Sequence, residues 1–363
     1  MKVRVARKAT AARIAHPRAA LRALPSVGAI SARGLARTAA SPPPVSFLAT
    51  CSPGPPAARF LNTLPQPPVP RPSCPSLPPP PPFHLPRQQP SGSKFTSVAT
   101  ISYAEDMNPR YRSTMEDACS VVDGFGGDGG TGYFGIYDGH GGRNVAEFVR
   151  LHLHVNVEKE LRVKGERSVE ECLKAAFSIT DMEASLTGEQ ASGSTAAVCV
   201  VRRQGPKRYV YSANCGDARA VLCHAGVAVR LSKDHKATDA QERVRIEAAG
   251  GFVVRKRVMG VLAVARAFGD FVLKKFVTAE PYTSTTKLDV MSHFIIIACD
   301  GVWDVLEDQE AVDLVVKHLG GVGAGAAGGG FDTAKAKTAA QVLVDTSLAK
   351  GSTDNVTALV VFL

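Results

Sequence analysis

Four short apolar segments lie close together between residues 196 and 231, and they restrict the fold more than any other feature of the sequence. Only a few polar residues separate consecutive segments, and these stretches contain the turn-forming sequences QGPK, CGD and HAG. The segments cover residues 196–201, 209–213, 218–223 and 227–231. Connections this short leave no room for the crossover that parallel strands need. We therefore predict an antiparallel meander in this part of the chain.

The rest of the body contains both strand-like and helix-like segments. Short apolar runs predict further strands at residues 98–103, 118–123, 133–137, 294–299 and 356–363. Apolar residues at helical spacing predict helices at 143–163, from 169 onward, and at 239–249, 308–319 and 332–350. Antiparallel strands grouped with pairs of helices favour one α+β domain over a doubly wound parallel sheet. The glycine-rich stretch 320–330 is expected to be a surface loop.

Residues 1–95 differ sharply in composition from residues 96–363. Of the 24 prolines, 21 precede Glu105, and so do 13 of the 43 basic residues but none of the 33 acidic ones. The later part therefore holds 30 basic and 33 acidic residues, and we expect no specific nucleic-acid partner for it. A proline-rich segment with little periodic apolar sequence cannot bury enough surface to fold, so we predict a disordered tail followed by one domain. No run of 18 apolar residues occurs, and no transmembrane segment is expected.

The first 40 residues are rich in Arg and Ala and lack acidic residues, which is typical of an organelle transit peptide. Two alternatives remain open: a solvated basic tail that contacts anionic surfaces such as nucleic acid or membrane, or a translation start placed too far upstream. The eight cysteines form no CxxC pair and mostly lie in apolar runs, so we expect reduced core thiols and no zinc site. The predicted location is a reducing intracellular compartment, either the cytoplasm or nucleus or, with a transit peptide, a chloroplast or mitochondrion.

Several acidic residues stand where predicted strands begin or end. Asp138 and Asp300 each follow an apolar run, Asp354 precedes the last one, and Glu116 and Asp117 precede residues 118–123. Singly these are ordinary turn residues, but carboxylates at the rim of a core repel one another unless a cation shares them. Mg²⁺ and Mn²⁺ take oxygen ligands, and a pair of such ions can bind phosphate and activate water. The sequence therefore favours a divalent metal site.

Seven motifs, taken in order, resemble those of the metal-dependent, type 2C Ser/Thr protein phosphatases. They are RSTMED at 112–117, DGHGG at 138–142, SGSTAAV at 192–198, ANCGDARAVL at 213–222, LAVARAFGD at 262–270, CDGVWDV at 299–305 and STDN at 352–355. The resemblance extends over residues 96–363. It implies a four-layer α-β-β-α sandwich, in which two antiparallel sheets are flanked by pairs of helices, with the metal site at one end.

The resemblance also implies the ligands of two Mg²⁺ or Mn²⁺ ions. The expected set is Asp138 on both ions, Asp300 and Asp354 on one, and Glu116 and the Gly139 carbonyl on the other, with Asp117 supporting metal-bound water. Asp217 and Asp304 match positions that, together with Asp300, hold a weaker third ion in some members. Gly139 suits its role because a residue without a side chain lets its carbonyl approach a metal.

Two further roles follow from the resemblance: Arg112 as the group that binds the substrate phosphate and His140 as the general acid. A guanidinium can bind two phosphate oxygens at once, and an imidazole can carry a proton near neutral pH. The implied activity is hydrolysis of phosphoserine and phosphothreonine in proteins by metal-activated water, without a covalent intermediate. We expect a monomer whose partners are phosphorylated proteins.

One alternative function stays open at this point, namely a catalytically weak or inactive regulator of the same fold that binds phosphoproteins. Loss of a metal-binding carboxylate would be its mark, and every expected carboxylate is present. Residues 236–258, which we call the flap, correspond to a variable segment beside the family's active site. The flap is basic at Arg255, Lys256 and Arg257, which leaves the substrate preference open.

Overall fold

The computed structural model describes residues 95–163, 165–321 and 332–363. The predicted tail, except for Phe95, lies outside the described residues, and so does most of the glycine-rich stretch 320–330. The domain boundary near residue 95, the disordered tail and its targeting role therefore stay predictions.

Within the described residues the chain forms fifteen strands and seven α-helices, numbered here in chain order. The strands are β1 (Thr100–Asp106), β2 (Ala118–Asp123), β3 (Thr131–Tyr137), β4 (Gly139–His140), β5 (Gly193–Ser194), β6 (Ala196–Gln204), β7 (Lys207–Cys215), β8 (Arg219–His224), β9 (Val227–Arg230), β10 (Val253–Val254), β11 (Arg257–Val258), β12 (Phe268–Gly269), β13 (Tyr282–Leu288), β14 (Ser292–Ala298) and β15 (Val356–Phe362). The helices are α1 (Asn144–Arg162), α2 (Val169–Ser185), α3 (Ala240–Ala248), α4 (Asp300–Trp303), α5 (Asp308–Leu319), α6 (Thr333–Lys337) and α7 (Ala339–Ala349).

Two five-stranded antiparallel sheets form the centre of the domain. The first sheet has the order β1-β15-β14-β8-β9, and the second has the order β13-β7-β6-β3-β2. Helices α1 and α2 cover the outer face of the second sheet, and α5 and α7 cover that of the first. The expected four-layer α-β-β-α sandwich is therefore confirmed.

Alternation along the central strands accounts for the layers. In β3, Tyr133 packs under α1 and α2, whereas Phe134 packs between the two sheets. In β14, Phe294 packs under the other pair of helices and Ile295 packs between the sheets. Successive side chains of a strand point to opposite faces, so a strand covered on both faces needs an unbroken apolar run. Such runs supply three hydrophobic layers in one domain.

The predicted meander between residues 196 and 231 is wrong. Strands β6 and β7 form a hairpin in the second sheet, whereas β8 and β9 form a hairpin in the first, and the chain crosses between the sheets in the loop from Gly216 to Ala218. Strand β7 pairs instead with β13, whose sequence YTSTTKL has no apolar alternation and was not predicted. Both faces of β8 are buried, which suits a strand between two layers rather than the next strand of a half-exposed meander.

The single helix predicted at 332–350 is also wrong, because two helices occupy this range. The chain leaves the helical conformation at Thr338, whose φ and ψ are −108° and 5°. The Thr338 hydroxyl donates a hydrogen bond to the Lys335 carbonyl at 3.1 Å. A side chain that bonds to the preceding turn competes with the helical backbone pattern, and the helix is interrupted there.

The flap folds as a small unit attached to one end of the sandwich. It contains α3 and the hairpin of β10 and β11, which pack around a separate hydrophobic cluster that includes Ile246, Val258 and Val277. The buried carboxylate of Glu242, in α3, accepts hydrogen bonds from Arg245 and Arg266. The base of the flap is therefore fixed by both apolar and ionic contacts.

Six of the eight cysteines fall within the described residues, and all six are buried free thiols, as predicted. Desolvation by burial raises the thiol pKa of Cys215 and Cys299. Among the helices of the described ranges, none combines the length and apolarity needed to cross a bilayer.

Candidate metal centre

Antiparallel pairing brings the predicted acids of the second sheet to one end. Asp138 directly follows β3 and Asp117 directly precedes β2. Because Ala118 lies opposite Tyr137 in the sheet, the end of one strand is beside the start of the other. The two aspartates therefore lie at the same edge.

The first sheet places three more aspartates in the same way. Asp300 lies two residues after the last residue of β14, and Asp354 lies two residues before the first of β15. Ala298 pairs with Ala358 and also with Arg219, so Asp217, just before β8, reaches the same edge. The register of the strands therefore brings acids that are far apart in the sequence to one edge of the sheet.

The two edges meet, because Asp138 from the second sheet lies against Asp217 and Asp300. Each of these three residues offers a carboxylate oxygen that lies within 4.8 Å of the other two. Asp217 is buried, whereas Asp138 and Asp300 are half-buried. The group is therefore formed only when the two sheets are packed together.

Mutual repulsion within this group is strong. Burial, followed by the negative charge of Asp300, raises the pKa of Asp138 well above its usual value. Burial, followed by the charge of Asp217, does the same for Asp300. Three carboxylates in one partly buried place are stable as anions only when cations compensate them. The all-oxygen donor set suits Mg²⁺ or Mn²⁺, so the residues present fit the expected ions.

Glu116 and Asp117, just before β2, contact different parts of the domain. Glu116 accepts a hydrogen bond from the backbone N–H of Gly142 at 3.2 Å. Asp117 is buried and accepts a hydrogen bond from the Thr357 hydroxyl at 2.5 Å, which ties it to β15 of the other sheet. Burial raises the pKa of Asp117 to about 6. Both acids are thus held in place, one by the DGHGG loop and one by the facing sheet.

Gly139 fills a place where a side chain would not fit. A Cβ atom there would lie 2.6 Å from the backbone oxygen of Glu116 and 3.0 Å from the Cβ of Ala146. The close approach of the two chain segments therefore requires glycine, independently of any role for its carbonyl.

Arg112 and Asp354 form an ion pair beside the cluster of carboxylates from Asp138, Asp217 and Asp300. The Arg112 guanidinium donates to the Asp354 carboxylate through Nη2 and to the Thr353 carbonyl through Nε, the latter at 3.3 Å. Its side chain is 48% exposed, so it is accessible to a ligand. The structure thus brings the predicted phosphate-binding residue beside a predicted metal ligand.

His140 has a partner that the sequence analysis missed. Its Nε2 lies 2.7 Å from Oδ2 of Asp270, the last residue of the LAVARAFGD motif. The small sheet β12-β5-β4 makes this contact, with Gly193 against both groups: a Cβ there would lie 2.4 Å from Nε2 and 2.2 Å from Oδ2. Asp270 also adopts the left-handed conformation, with a φ of 49°, which is unusual for a residue other than glycine.

Lys236 is a second residue that the sequence analysis did not single out for the site. Its Nζ donates to Oδ1 of Asp304 at 2.8 Å and lies 3.4 Å from Oδ2 of Asp217. Burial alone would lower the pKa of Lys236, but the negative charges of Asp217 and Asp304 raise it above its usual value. The residues predicted to hold a third ion therefore surround an ammonium group.

Comparison with known proteins adds independent evidence. The family model described as "Protein phosphatase 2C" matches residues 101–356. "Protein phosphatase 2C homolog 1" of Saccharomyces cerevisiae is 37% identical over 276 residues, which cover 72% of this chain and 93% of the yeast protein. The protein of the same name in Schizosaccharomyces pombe is 40% identical over 263 residues, 71% of this chain and 72% of its own. The solved structure of serine-threonine phosphatase 2C from Toxoplasma gondii shares the fold, with a TM-score of 0.60, 20% identity, and coverage of 74% of this chain and 96% of that one.

Proposed function

Because the chain belongs to the protein phosphatase 2C family, we propose that it is a metal-dependent phosphatase that hydrolyses phosphoserine and phosphothreonine in proteins. The observation that carries the proposal is the group of three carboxylates, from Asp138, Asp217 and Asp300, at the edge where the two sheets meet. Three carboxylates with only the ammonium of Lys236 nearby keep an excess of negative charge, which suits divalent cations and, through them, a phosphate dianion.

Each predicted ligand would contribute an oxygen to a centre of two Mg²⁺ or Mn²⁺ ions. Asp138 would be shared, Asp300 and Asp354 would bind one ion, and Glu116 and the Gly139 carbonyl would bind the other. When bound, such ions supply Lewis acidity and lower the pKa of coordinated water. Asp117, held by Thr357, would orient water at this centre.

Arg112 would bind the phosphoryl group of the substrate. A guanidinium offers parallel N–H donors that match two phosphoryl oxygens. Its ion pair with Asp354 keeps it at the edge of the centre, and its exposure leaves it free to turn toward a substrate. Since a bound cation would compete with Arg112 for Asp354, filling the centre would release the guanidinium for phosphate.

His140 would protonate the departing serine or threonine oxygen. Its Nε2 bonds to Asp270, which leaves Nδ1 to deliver the proton. Asp270 is a positioning residue, because its carboxylate at Nε2 fixes the orientation of the imidazole ring. The inactive-regulator alternative is not favoured, because both the acidic group and this pair are intact.

The test is phosphate release from a phosphothreonine peptide by the full chain, with Mn²⁺, with Mg²⁺ and with EDTA. We expect release with a divalent ion, no release in EDTA, and a loss of at least about a hundredfold in Asp300→Asn. Asp345→Asn is the matched control, because Asp345 is an exposed acid of α7 that bonds only to Gln341 among the described contacts. Release that persists in EDTA, or a folded chain inactive with both ions, would refute the proposal.

A further inference from the structure

Lys236 stands on a backbone that is fixed on both sides. The N–H of His235 donates to the carbonyl of Gly216 at 2.9 Å, and the N–H of Ala237 donates to the carbonyl of Ala263 at 2.7 Å. The first bond joins the start of the flap to the loop between β7 and β8. The lysine stem therefore leaves a defined point next to the carboxylate group, rather than a free loop.

The ammonium group of Lys236 lies among three acids. Nζ donates to Asp304 at 2.8 Å and lies 3.4 Å from Asp217. The negative charge of Asp300 also acts on it. These are the three residues that the family resemblance assigns to a weaker third ion. One positive charge thus already compensates the acids on this side of the centre, whereas no lysine or arginine pairs with Asp138 itself among the described contacts.

We propose that Lys236 is a built-in cation that takes the position of the third ion, so that the lysine side chain and a third divalent ion exclude each other. This inference rests on the proposed function, because it takes the two-metal centre as given. A tethered ammonium has a high effective concentration at its site and loses no translational freedom on binding. A free ion must displace it, and the third site is correspondingly weak.

The position of Lys236 in the chain gives this exclusion a structural consequence. Lys236 is the first residue of the flap, and Asp239, three residues later, caps α3. A third ion that displaces the ammonium would free the lysine side chain from Asp304. The backbone bonds of His235 and Ala237 would still hold the start of the flap, so the change would be confined to the lysine side chain.

The experiment is a Mn²⁺ binding isotherm on the full chain, with free Mn²⁺ measured by electron paramagnetic resonance. We compare the wild type with Lys236→Met, and with Lys233→Met as the matched control, because Nζ of Lys233 bonds to Gln241 and not to the carboxylate group. In Lys236→Met we expect the weakest site to tighten by about tenfold or more, since its carboxylates lose their competing charge. The two tighter sites should change little, and Lys233→Met should match the wild type.

Two further variants make the result specific. Adding Asp304→Asn to Lys236→Met should remove the gained affinity, and Lys236→Gln should repeat the gain if the methionine variant folds poorly. A weakest site that stays within twofold of the wild type in both lysine variants overturns the inference, as does a gain that survives Asp304→Asn. If fewer than two ions bind to the folded wild type, the two-metal proposal fails, and this inference fails with it.

Discussion

His235 should make the fold sensitive to mild acid. Its side chain is only 1% exposed, and its Nδ1 has no hydrogen-bond partner among the described residues. Burial, followed by the positive charge of Arg266, lowers the pKa of His235 from the usual 6.5 to about 4. In the unfolded chain the imidazole regains its usual pKa, so between these two values protons bind preferentially to the unfolded state.

The size of the effect follows from the two pKa values. A lowered pKa in the folded state means that the stability is fully present above pH 6.5 and is lost as the pH falls toward 4. At pH 5.0 the imidazole is mostly protonated when unfolded and mostly neutral when folded, which corresponds to a loss of about 2 kcal/mol in the free energy of unfolding relative to pH 7.5. The full loss, below pH 4, is about 3 kcal/mol.

The assay is urea unfolding of the wild type and His235→Gln in EDTA at pH 7.5 and 5.0. The carboxylates of Asp138 and Asp300 act in the opposite sense, because a raised pKa stabilises the fold as the pH falls. Their contribution is common to both proteins and cancels when the two pH differences are compared. The wild type should lose about 2 kcal/mol more than the variant.

The control is His224→Gln, since the His224 side chain is 41% exposed and pairs with Asp289 at the surface. This control should follow the wild type at both pH values. Parallel losses in the wild type and His235→Gln would show that the buried imidazole is not the group responsible, and the reasoning from burial would be refuted.

Three shorter predictions concern the site itself. Asp138→Asn should raise the thermal midpoint in EDTA at pH 7.5 by at least about 2 °C, because it removes an anion that its neighbours repel. It should also abolish phosphate release, and a lowered midpoint would contradict the repulsion. Asp270→Asn should lower kcat about tenfold to a hundredfold on a phosphopeptide, with little change in KM. The loss of kcat should be much smaller on p-nitrophenyl phosphate, because its leaving group needs no acid. Equal losses on both substrates would indicate a merely structural role. Gly301→Ala should cost about 2–4 kcal/mol in urea unfolding, since its Cβ would lie 2.0 Å from the Asn355 carbonyl oxygen, and an unchanged midpoint would contradict this close contact.

The sequence predicted the site best where an acid borders an apolar strand. Strand β2 was predicted at its observed bounds, and Asp138 and Asp300 were expected at strand ends because the apolar run stops there. This success has a local cause: burial on both faces leaves a continuous apolar signal, and a polar residue marks its end. The roles assigned to these acids came from the family resemblance, not from the pattern.

The features that the sequence did not predict depend on contacts between distant residues. Local alternation is the same whether β8 continues the sheet of β7 or joins the other one, so the crossover near Gly216 leaves no periodic signal. His140 and Asp270 are separated by 130 positions, and only the small sheet β12-β5-β4 joins them. Lys236 was noted only as part of a basic flap, because the acids that surround it come from two other loops.

Strand β15 lies between β1 and β14 in the first sheet. Within the described residues β1 therefore pairs with β15 alone, although some 250 residues separate them in the chain. During synthesis on the ribosome, β1 keeps an unpaired edge until Val356–Phe362 has emerged and paired with it. Asp354, just before this strand, joins the other aspartates of the site in the same step. Under the proposed function, a growing chain would lack the metal ligand Asp354, and so would not release phosphate, until this strand is inserted. Until then the open edge of β1 is exposed to aggregation or to binding by a chaperone.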